Sequence, residues 1–274
     1  MSLKKVLTIA GSDTSGGAGI QADLKTFQEL GVYGMTSLTT IVAQDPHQGW
    51  HHAVYPQEHS VIEAQLETVL AGVGVDAAKT GMLGSIETIE LVANKVDQYH
   101  IEKLVVDPVM VCKGADEALN PEVDQHLREV LVPKALVVTP NLFEASQIAN
   151  MDAIQSVEEM KKAAVTIYEQ GPSFVIIKGG GETGEDQSID VSYDGKSFEY
   201  IEAPKIHTEY THGAGCTYSA AITAELAHGK PVREAIETAK QFITAAITDS
   251  FPLNQYIGPV NHTAYRYQSA KKEH

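Results

Sequence analysis

The stretch Val6-Leu7-Thr8-Ile9-Ala10-Gly11-Ser12-Asp13-Thr14-Ser15-Gly16-Gly17-Ala18-Gly19 opens the chain with an apolar run and a glycine-rich loop. The run is short and partly β-branched, which predicts a buried first strand. After the loop, apolar residues recur at helical spacing until Gly31, where the helix is expected to end. They are Ile20, Leu24, Phe27 and Leu30. The order of strand, glycine loop and helix predicts an α/β fold.

The glycine-rich loop has the position of a nucleotide-binding loop but not its sequence. It is neither G-x-G-x-x-G nor the lysine-bearing phosphate loop. A dinucleotide site is therefore weakly supported. A loop that lets a small substrate approach the backbone closely fits the glycines equally well.

Further apolar runs alternate with helical patterns along the chain. Short runs predict strands at 36–43, 76–82, 104–108, 136–141 and 174–181. This alternation implies a mostly parallel sheet with helices on both faces. One more pattern differs, because Asp194-Gly195 lies between alternating runs and predicts a small antiparallel hairpin at the sheet edge.

A polar residue stands at or next to the carboxyl end of each later strand. These residues are Gln44, Thr80, Asp107, Asn141 and Lys178. One such residue is usually a turn former, but ligands in open α/β sheets bind beyond the carboxyl ends of the strands. Five of them together favour a functional site at that edge.

Two segments bear on the chain's organisation. Residues 109–120 lack periodicity and are long enough to form a flap. The run at 232–247 predicts one last amphipathic helix, and Trp50, His51 and His52 read as loop or dimer-rim residues. No linker or repeat divides the chain, so residues 1–274 are expected to form a single domain.

The composition limits the classes of partner. Twenty Lys and Arg against 36 Asp and Glu give a net charge of −16, which disfavours nucleic acid and anionic membranes as partners. The two cysteines, Cys112 and Cys216, make neither a disulfide framework nor a zinc ligand set. With no signal-like N-terminal segment and no membrane-length apolar stretch, the sequence predicts a cytoplasmic protein.

A second glycine-rich turn, His212-Gly213-Ala214-Gly215-Cys216-Thr217, leads into an alanine-rich run that predicts a helix. Backbone amides at a helix N-terminus bind anions, and the same position favours a thiolate over a thiol. The turn could therefore supply an anion cradle together with a base or nucleophile at Cys216. The alternative is a glycine-punctuated helix start with an inert cysteine.

The combination of turn, lysine, carboxylates and amides favours phosphoryl transfer, which needs positioning and neutralisation of charge. Asp107, Asn141 and Glu144 could hold magnesium directly or through water. Lys178 could neutralise nucleotide phosphate, and Cys216 could accept the proton of a substrate hydroxyl.

A hydrolase with Cys216 as nucleophile is the rival hypothesis. That chemistry needs a nearby base, and His212 lies four residues upstream. It would leave the glycine-rich loop, Lys178 and the acid and amide groups without a role, so it ranks second.

Five motifs together resemble the hydroxymethylpyrimidine kinases and their close relatives, the pyridoxal kinases of ribokinase type. The resemblance covers essentially the whole chain, in the expected order. The motifs are Gly11-Ser12-Asp13-Thr14-Ser15-Gly16-Gly17-Ala18-Gly19-Ile20-Gln21-Ala22-Asp23-Leu24-Lys25-Thr26, Lys79-Thr80-Gly81-Met82-Leu83, Asp107-Pro108-Val109-Met110, Thr139-Pro140-Asn141-Leu142-Phe143-Glu144-Ala145 and His212-Gly213-Ala214-Gly215-Cys216-Thr217.

The resemblance implies a ribokinase-like α/β domain, a homodimer, and phosphorylation of a hydroxymethyl group on an aromatic heterocycle with ATP and magnesium. It also implies the site residues. Cys216 is the base beside Gly213, Ala214 and Gly215; Asp23, Gln44, Gly11, Met82, Val109 and Cys112 contact the substrate; Lys178, Asn141, Thr211 and Gly213 contact the nucleotide; Asp107 and Glu144 lie at the metal.

Substrate choice divides the two groups of kinases. Gln44 is what the pyrimidine kinases commonly show, whereas Cys112 resembles a second cysteine of the pyridoxal kinases, which could add reversibly to an aldehyde. The leading hypothesis is a pyridoxal, pyridoxine and pyridoxamine kinase with hydroxymethylpyrimidine as a second substrate. A dedicated hydroxymethylpyrimidine kinase of thiamine synthesis is the alternative, and a catalytically silent sensor on the same fold is a third reading.

Overall fold

The computed structural model describes residues 3–110, 121–180 and 186–272 of the 274-residue chain. The strands are β1 Lys5–Asp13, β2 Tyr33–Asp45, β3 His51–Pro56, β4 Ala77–Thr80, β5 Leu104–Val106, β6 Val137–Val138, β7 Phe174–Lys178, β8 Gln187–Tyr193 and β9 Phe198–Pro204. The α-helices are α1 Gly19–Glu29, α2 His59–Leu70, α3 Ile86–Gln98, α4 Pro121–His126, α5 Leu142–Ala149, α6 Val157–Tyr168, α7 Ala214–Ala227, α8 Val232–Thr248 and α9 Ala264–Lys272.

Within these described residues the strands form one sheet in the order β3-β2-β1-β4-β5-β6-β7-β8-β9. Strands β2, β1, β4, β5, β6 and β7 are parallel. Strand β3 is antiparallel to β2, and β8 is antiparallel to both β7 and β9. The mostly parallel α/β sheet with an edge hairpin confirms the predicted fold class.

Apolar residues on alternating positions of the central strands cover the two faces of the sheet. Leu7 and Ile9 belong to a core cluster that includes α2, α3, α5 and α6, whereas Val6 packs with α1 and α7. In β5, Val105 joins a cluster with α7 and α8, while its two neighbours face the other way. Side chains that alternate in this way pack helices on both faces.

The sheet brings the predicted polar strand ends to one edge. The chain crosses from β1 to β2 on one side and later returns to β4 on the other side of β1. Such a reversal of direction opens a crevice beyond the carboxyl ends of the central strands. The glycine-rich loop after β1 and the start of α7 both line a cavity there.

Two features differ from the sequence prediction. His51 and His52 lie in β3, paired with Asp45 and Gln44 of β2, rather than in a loop. A further helix, α9, follows α8, so the helix at 232–248 is not the last. Both were missed because the runs are short or weakly apolar, which leaves little periodicity to detect.

No helix among residues 3–110, 121–180 and 186–272 combines the length and the apolar character needed to cross a membrane. The predicted flap at 109–120 lies outside the described residues except for Val109 and Met110, and Cys112 lies outside them altogether.

Candidate active site

Two cavities meet at the carboxyl edge of the sheet. The first, of about 250 Å³, lies between the loop after β1, the ends of β2, β4 and β5, and the start of α7. The second, of about 530 Å³, lies between the ends of β6 and β7, β8 and helices α7 and α8. The residues that line both cavities are Asn141, Lys178, Thr211, Ala214 and Gly215.

The turn before α7 depends on glycine. Gly213 is the N-cap of the helix with φ +79°, in the left-handed region. A Cβ at this position would collide with the carbonyl oxygen of Gly17 in the first glycine-rich loop. Because of this close approach, the two glycine-rich loops lie against each other and the first turn of α7 faces the cavities.

Backbone and side-chain donors hold the peptide of Gly213 in place. The Gly213 carbonyl accepts the N–H of Thr217 at 2.9 Å and the hydroxyl of Thr217 at 2.8 Å. Nε2 of the buried His262 lies 3.0 Å from the same hydroxyl oxygen. Since that hydroxyl donates to Gly213, His262 donates to Thr217 through Nε2–H. Thr217 and His262 therefore hold the first turn of α7 in place from the side opposite the cavities.

The environment of Cys216 differs from the prediction for its thiol. Burial raises the pKa of Cys216 to about 12, against the lowering effects of the Lys79 ammonium and a Gly19 backbone hydrogen bond. We predicted the opposite direction from the helix N-terminus. Burial wins because desolvation disfavours a charged sulfur more than nearby dipoles favour it.

Lys79 and Asp23 form a fully buried ion pair next to this cysteine. Lys79 Nζ lies 2.8 Å from Asp23 Oδ1, and both side chains are 0 % exposed. The Thr8 hydroxyl donates to the other carboxylate oxygen at 2.6 Å. Lys79 lines the first cavity, but Asp23 does not. The Asp23 carboxylate is bound to Lys79 and Thr8 beneath the cavity wall, and its substrate contact stays a prediction.

Asp13 was not singled out in the sequence, yet it connects three parts of the site. Its Oδ1 accepts the side-chain amide N–H of Gln44 at 2.8 Å, and its Oδ2 lies 2.6 Å from His212 Nε2. The backbone N–H groups of Gly17 and Ala18 also donate to Oδ2. Burial opposes ionisation, but the hydrogen bonds from His212 and others outweigh it and lower the pKa of Asp13.

The pairing of His212 bears on the hydrolase hypothesis. Its Nε2 is bound to Asp13, and among the described residues no hydrogen bond joins His212 to Cys216. A nucleophilic cysteine needs its base within hydrogen-bond reach. The geometry thus removes the support for a Cys216–His212 pair.

Charged groups at the ends of β5, β6 and β7 form the border between the cavities. Asp107 Oδ1 lies 3.1 Å from Lys178 Nζ, and the Ser219 hydroxyl donates to Asp107 Oδ2 at 3.0 Å. Burial opposes ionisation of Asp107, but Lys178 lowers its pKa. Burial raises the pKa of Glu144 to about 7, with Lys178 acting in the opposite direction.

Asn141 and Glu144 form a capping box at the start of α5. The Asn141 side chain accepts the N–H of Glu144, and the Glu144 carboxylate accepts the N–H of Asn141, each at 2.8 Å. This reciprocal pair fixes both side chains at the cavity border. The backbone N–H of Met110 also donates to the Glu144 carboxylate.

A magnesium ion is the metal that the family resemblance implies at this border. Among the described residues no group of three or more His, Cys, Asp or Glu side chains could hold a metal ion by itself. Asp107 and Glu144 nevertheless offer hard carboxylate oxygens in one cavity. Magnesium typically takes one or two carboxylates and completes its shell with water and substrate phosphate. The donor set fits that pattern.

The structure brings most of the predicted site residues together. The predicted residues that line the first cavity are Gly11, Gln44, Met82, Asp107, Val109, Asn141, Glu144, Lys178, Thr211, Gly213, Ala214, Gly215 and Cys216. Thr80 is fully buried and does not line it, although its neighbours do. Lys79, Asp13 and His52 are further wall residues that the sequence did not single out as site residues. Asp13 and Lys79 stood inside quoted motifs, which was the available signal.

The second cavity contains another buried ion pair. Lys240 of α8 lies 2.8 Å from Asp190 Oδ2 in β8, and Asp190 Oδ1 accepts the N–H of Gly179 at 3.1 Å. Both side chains are less than a tenth exposed. The pair ties α8 to the strand that forms the cavity floor.

Comparison with known proteins identifies the family. A model of the phosphomethylpyrimidine kinase family matches residues 13–261. A pyridoxine kinase of Bacillus subtilis is 58% identical over 266 residues, covering 97% of this chain and 98% of that protein. A hydroxymethylpyrimidine/phosphomethylpyrimidine kinase of the same organism is 42% identical over 269 residues, covering 98% of each chain.

The solved structures agree with the sequence comparison. An ADP complex of Bacillus subtilis pyridoxal kinase superposes with a TM-score of 0.94 at 58% identity, covering 97% of this chain and 99% of that one. The chain therefore belongs to the phosphomethylpyrimidine kinase family and has the ribokinase-like fold of the pyridoxal kinases.

Proposed function

We propose that this protein is an ATP-dependent kinase that phosphorylates the hydroxymethyl group of pyridoxal, pyridoxine and pyridoxamine, with hydroxymethylpyrimidine as a second substrate. One observation carries the proposal: two cavities meet at the turn before α7 and share its residues. Phosphoryl transfer needs a donor and an acceptor in line on either side of one set of charge-stabilising groups. The relatives named above supply the substrate class.

The second cavity is assigned to ATP and the first to the heterocycle. The solved relative with ADP supports nucleotide binding by this fold. Lys178, Asn141 and Thr211 line both cavities, so they are suited to contact the phosphates that bridge them. The backbone N–H groups at 213–216 lie at a helix N-terminus, where they stabilise charge on the transferred group.

Gln44 is assigned to the polar edge of the heterocycle. Its amide nitrogen donates to the Asp13 carboxylate, which only accepts when ionised. The remaining Gln44 oxygen is then an acceptor for an O–H or N–H of the ring. A pyridinol and an aminopyrimidine both carry such donors, so one arrangement of Gln44 serves both substrates.

Cys216 is assigned as the group that accepts the hydroxyl proton of the substrate. In a loose transition state the attacking oxygen keeps its proton until bonding to phosphorus is well advanced. Burial raises the pKa of the Cys216 thiol to about 12 and keeps most of the sulfur protonated, so the thiolate that accepts this proton needs positive charge nearby. Beside the sulfur, the backbone N–H groups of Gly213, Ala214 and Gly215 stabilise the charge on the oxygens of the transferred phosphoryl group.

Glu144 and Asp107 are the side chains that would hold magnesium, directly or through water. When bound, the ion supplies neutralisation of the phosphate oxygens. Lys178, paired with Asp107 at 3.1 Å, adds a fixed positive charge at the same border. Because Asp107, Glu144 and Lys178 are largely buried, few water molecules compete with the phosphate for contact with them.

Purified protein with ATP, magnesium and each vitamer tests the function. Formation of the phosphate ester and ADP in equal amounts is expected, and no turnover of any pyridoxal vitamer would refute it. Specificity constants for pyridoxal and hydroxymethylpyrimidine, measured side by side, separate the proposal from a dedicated pyrimidine kinase. The closer pyridoxine kinase relative, at 58% against 42% identity, favours pyridoxal. Binding without turnover would instead indicate a sensor.

The proposal extends to the organisation of the chain. A single domain is supported by the one sheet that carries both cavities, and a homodimer by the exposed apolar side chains of Ile41, Val54 and Tyr55 on β2 and β3. The proposal includes a cytoplasmic location, and the net charge of −16 argues against nucleic acid as a partner. Light scattering after size exclusion measures the oligomeric state, and a monomer would refute the dimer.

A further inference from the structure

The buried Lys79–Asp23 pair has no role in the reaction as assigned so far. Lys79 lies in β4, at the middle of the sheet, and its side chain lines the first cavity together with Cys216. Asp23 lies in α1, behind the cavity wall, with its carboxylate oxygens bound to Lys79 and to Thr8. Both charges are 0 % exposed.

An ion pair buried this deeply is weak evidence for stability. Removing two charges from water costs more than a pair at 2.8 Å regains unless further hydrogen bonds assist, and apolar residues of similar volume often serve the fold as well. Lys79 also borders the first cavity together with Cys216, and this position points to another reason for its charge.

We propose that Lys79, held in place by Asp23, is a positioning residue that keeps a positive charge beside Cys216 and so favours the thiolate that accepts the substrate proton. The inference rests on the proposed role of Cys216 as proton acceptor. Lys79 does not contact the substrate in this proposal and affects the reaction only by stabilising the thiolate of Cys216. Asp23 holds the Lys79 ammonium group in place by accepting a hydrogen bond from it. Thr8 in turn orients the Asp23 carboxylate.

The charges around Cys216 come from four elements. Lys79 of β4 favours the thiolate, and Lys178 at the end of β7 also interacts with it. Asp23 of α1 and Asp107 after β5 disfavour it. Of these charges Lys79 has the largest effect on the sulfur, although burial exceeds it. Burial is the largest single effect on the pKa of Lys79 and lowers it, but Asp23, Cys216 and Asp107 together raise it by more, so Lys79 stays protonated.

The sulfur's ionisation can be measured without turnover. The rate at which iodoacetamide alkylates Cys216, followed on its own peptide by mass spectrometry, reports the thiolate fraction across a neutral to alkaline pH series. The peptide readout separates Cys216 from Cys112. For Lys79→Met we expect a rate lower than that of the wild type by about tenfold for each unit by which the thiol pKa rises. The kcat for pyridoxal should fall in parallel, with KM changed less.

Two further variants separate a positioning role from a structural one. Lys161→Met removes a partly buried lysine that pairs with Glu158 on α6, away from both cavities, and it should keep the wild-type alkylation profile. The double variant Lys79→Met with Asp23→Asn leaves no unpaired buried charge, so it should regain thermal stability lost in Lys79→Met. Its alkylation rate should remain below wild type, because Lys79 acts on the sulfur more strongly than Asp23 does.

Equal alkylation profiles for wild type and Lys79→Met would overturn the proposal. If Lys79→Met does not fold, the double variant decides: wild-type stability with a wild-type profile shows that the pair is structural only, whereas a slower rate supports the positioning role. The alkylation assay does not depend on turnover. A wild-type protein that fails to phosphorylate pyridoxal would refute the proposed function and leave the Lys79 test readable.

Discussion

Acid is expected to destabilise this protein through one buried histidine, His262. Its side chain is buried behind the start of α7, where Nε2–H donates to Thr217 and so supports the peptide of Gly213. Burial, with a smaller effect of Lys25, lowers the pKa of His262 from 6.5 to about 4. The folded protein therefore binds this proton less readily than the unfolded chain does.

The size of the effect follows from the two pKa values. A depressed pKa gives stability that is fully present above 6.5 and is lost as the pH falls from 6.5 to 4. At 1.36 kcal/mol for each pKa unit, His262 costs the fold about 2 kcal/mol at pH 5 and about 3 kcal/mol at pH 4. A loss of that size is a substantial share of the stability of a domain.

Urea unfolding of wild type and His262→Gln at pH 7 and pH 5 measures the effect. Glutamine keeps a donor for Thr217 but does not titrate, so its unfolding free energy should fall by about 2 kcal/mol less between the two pH values than that of wild type. His59→Gln, which changes an exposed histidine at the start of α2, is the control and should follow wild type. Identical pH dependence in wild type and His262→Gln would show that His262 does not have the depressed pKa inferred from its burial.

Three further substitutions test the site. Cys216→Ala should lower kcat by about 100-fold to 10,000-fold, the range for a lost general base, with ADP affinity measured by calorimetry nearly unchanged; wild-type turnover would reassign the base. Asp13→Asn weakens hydrogen bonds to a charged acceptor, each contributing about 1.5–3 kcal/mol, so KM for pyridoxal should rise at least about tenfold while KM for ATP changes little; an equal rise in both would argue against a role at the heterocycle. Gly213→Ala forces a side chain into φ +79° against the Gly17 carbonyl, and kcat should fall by about 100-fold; a variant with wild-type kcat would show that the turn tolerates displacement.

The sequence predicted the parts of the fold that depend on local pattern. Strands β5, β6 and β7 are short and mostly apolar, so their runs are readable in the sequence, and Asp194-Gly195 marks the β8–β9 hairpin. Strand β3 was missed because His51 and His52 are polar and give no alternating apolar pattern. The strand is recognised only from its pairing with β2. Its pairing is tertiary information that no local pattern contains.

The same distinction holds for the site. Gln44, Asn141, Lys178 and Cys216 are found because each lies at the end of a strand or at the start of a helix, which is a local signal. The roles of Asp23 and Asp13 depend on partners far along the chain. Asp23 meets Lys79 at a separation of 56 residues, and Asp13 meets His212 at a separation of 199. The direction of the Cys216 pKa likewise depends on how deeply the packed chain buries the sulfur.

The long separation between Asp13 and His212 also bears on protein synthesis. The loop after β1 leaves the ribosome early. The Gly213 residue that packs against the Gly17 carbonyl is synthesised about 200 residues later. The histidine that braces this turn, His262, is made later still. The turn that faces both cavities therefore has its packing partners only when nearly all of the polypeptide has emerged. We expect a chain that ends before His262 to be inactive for this reason.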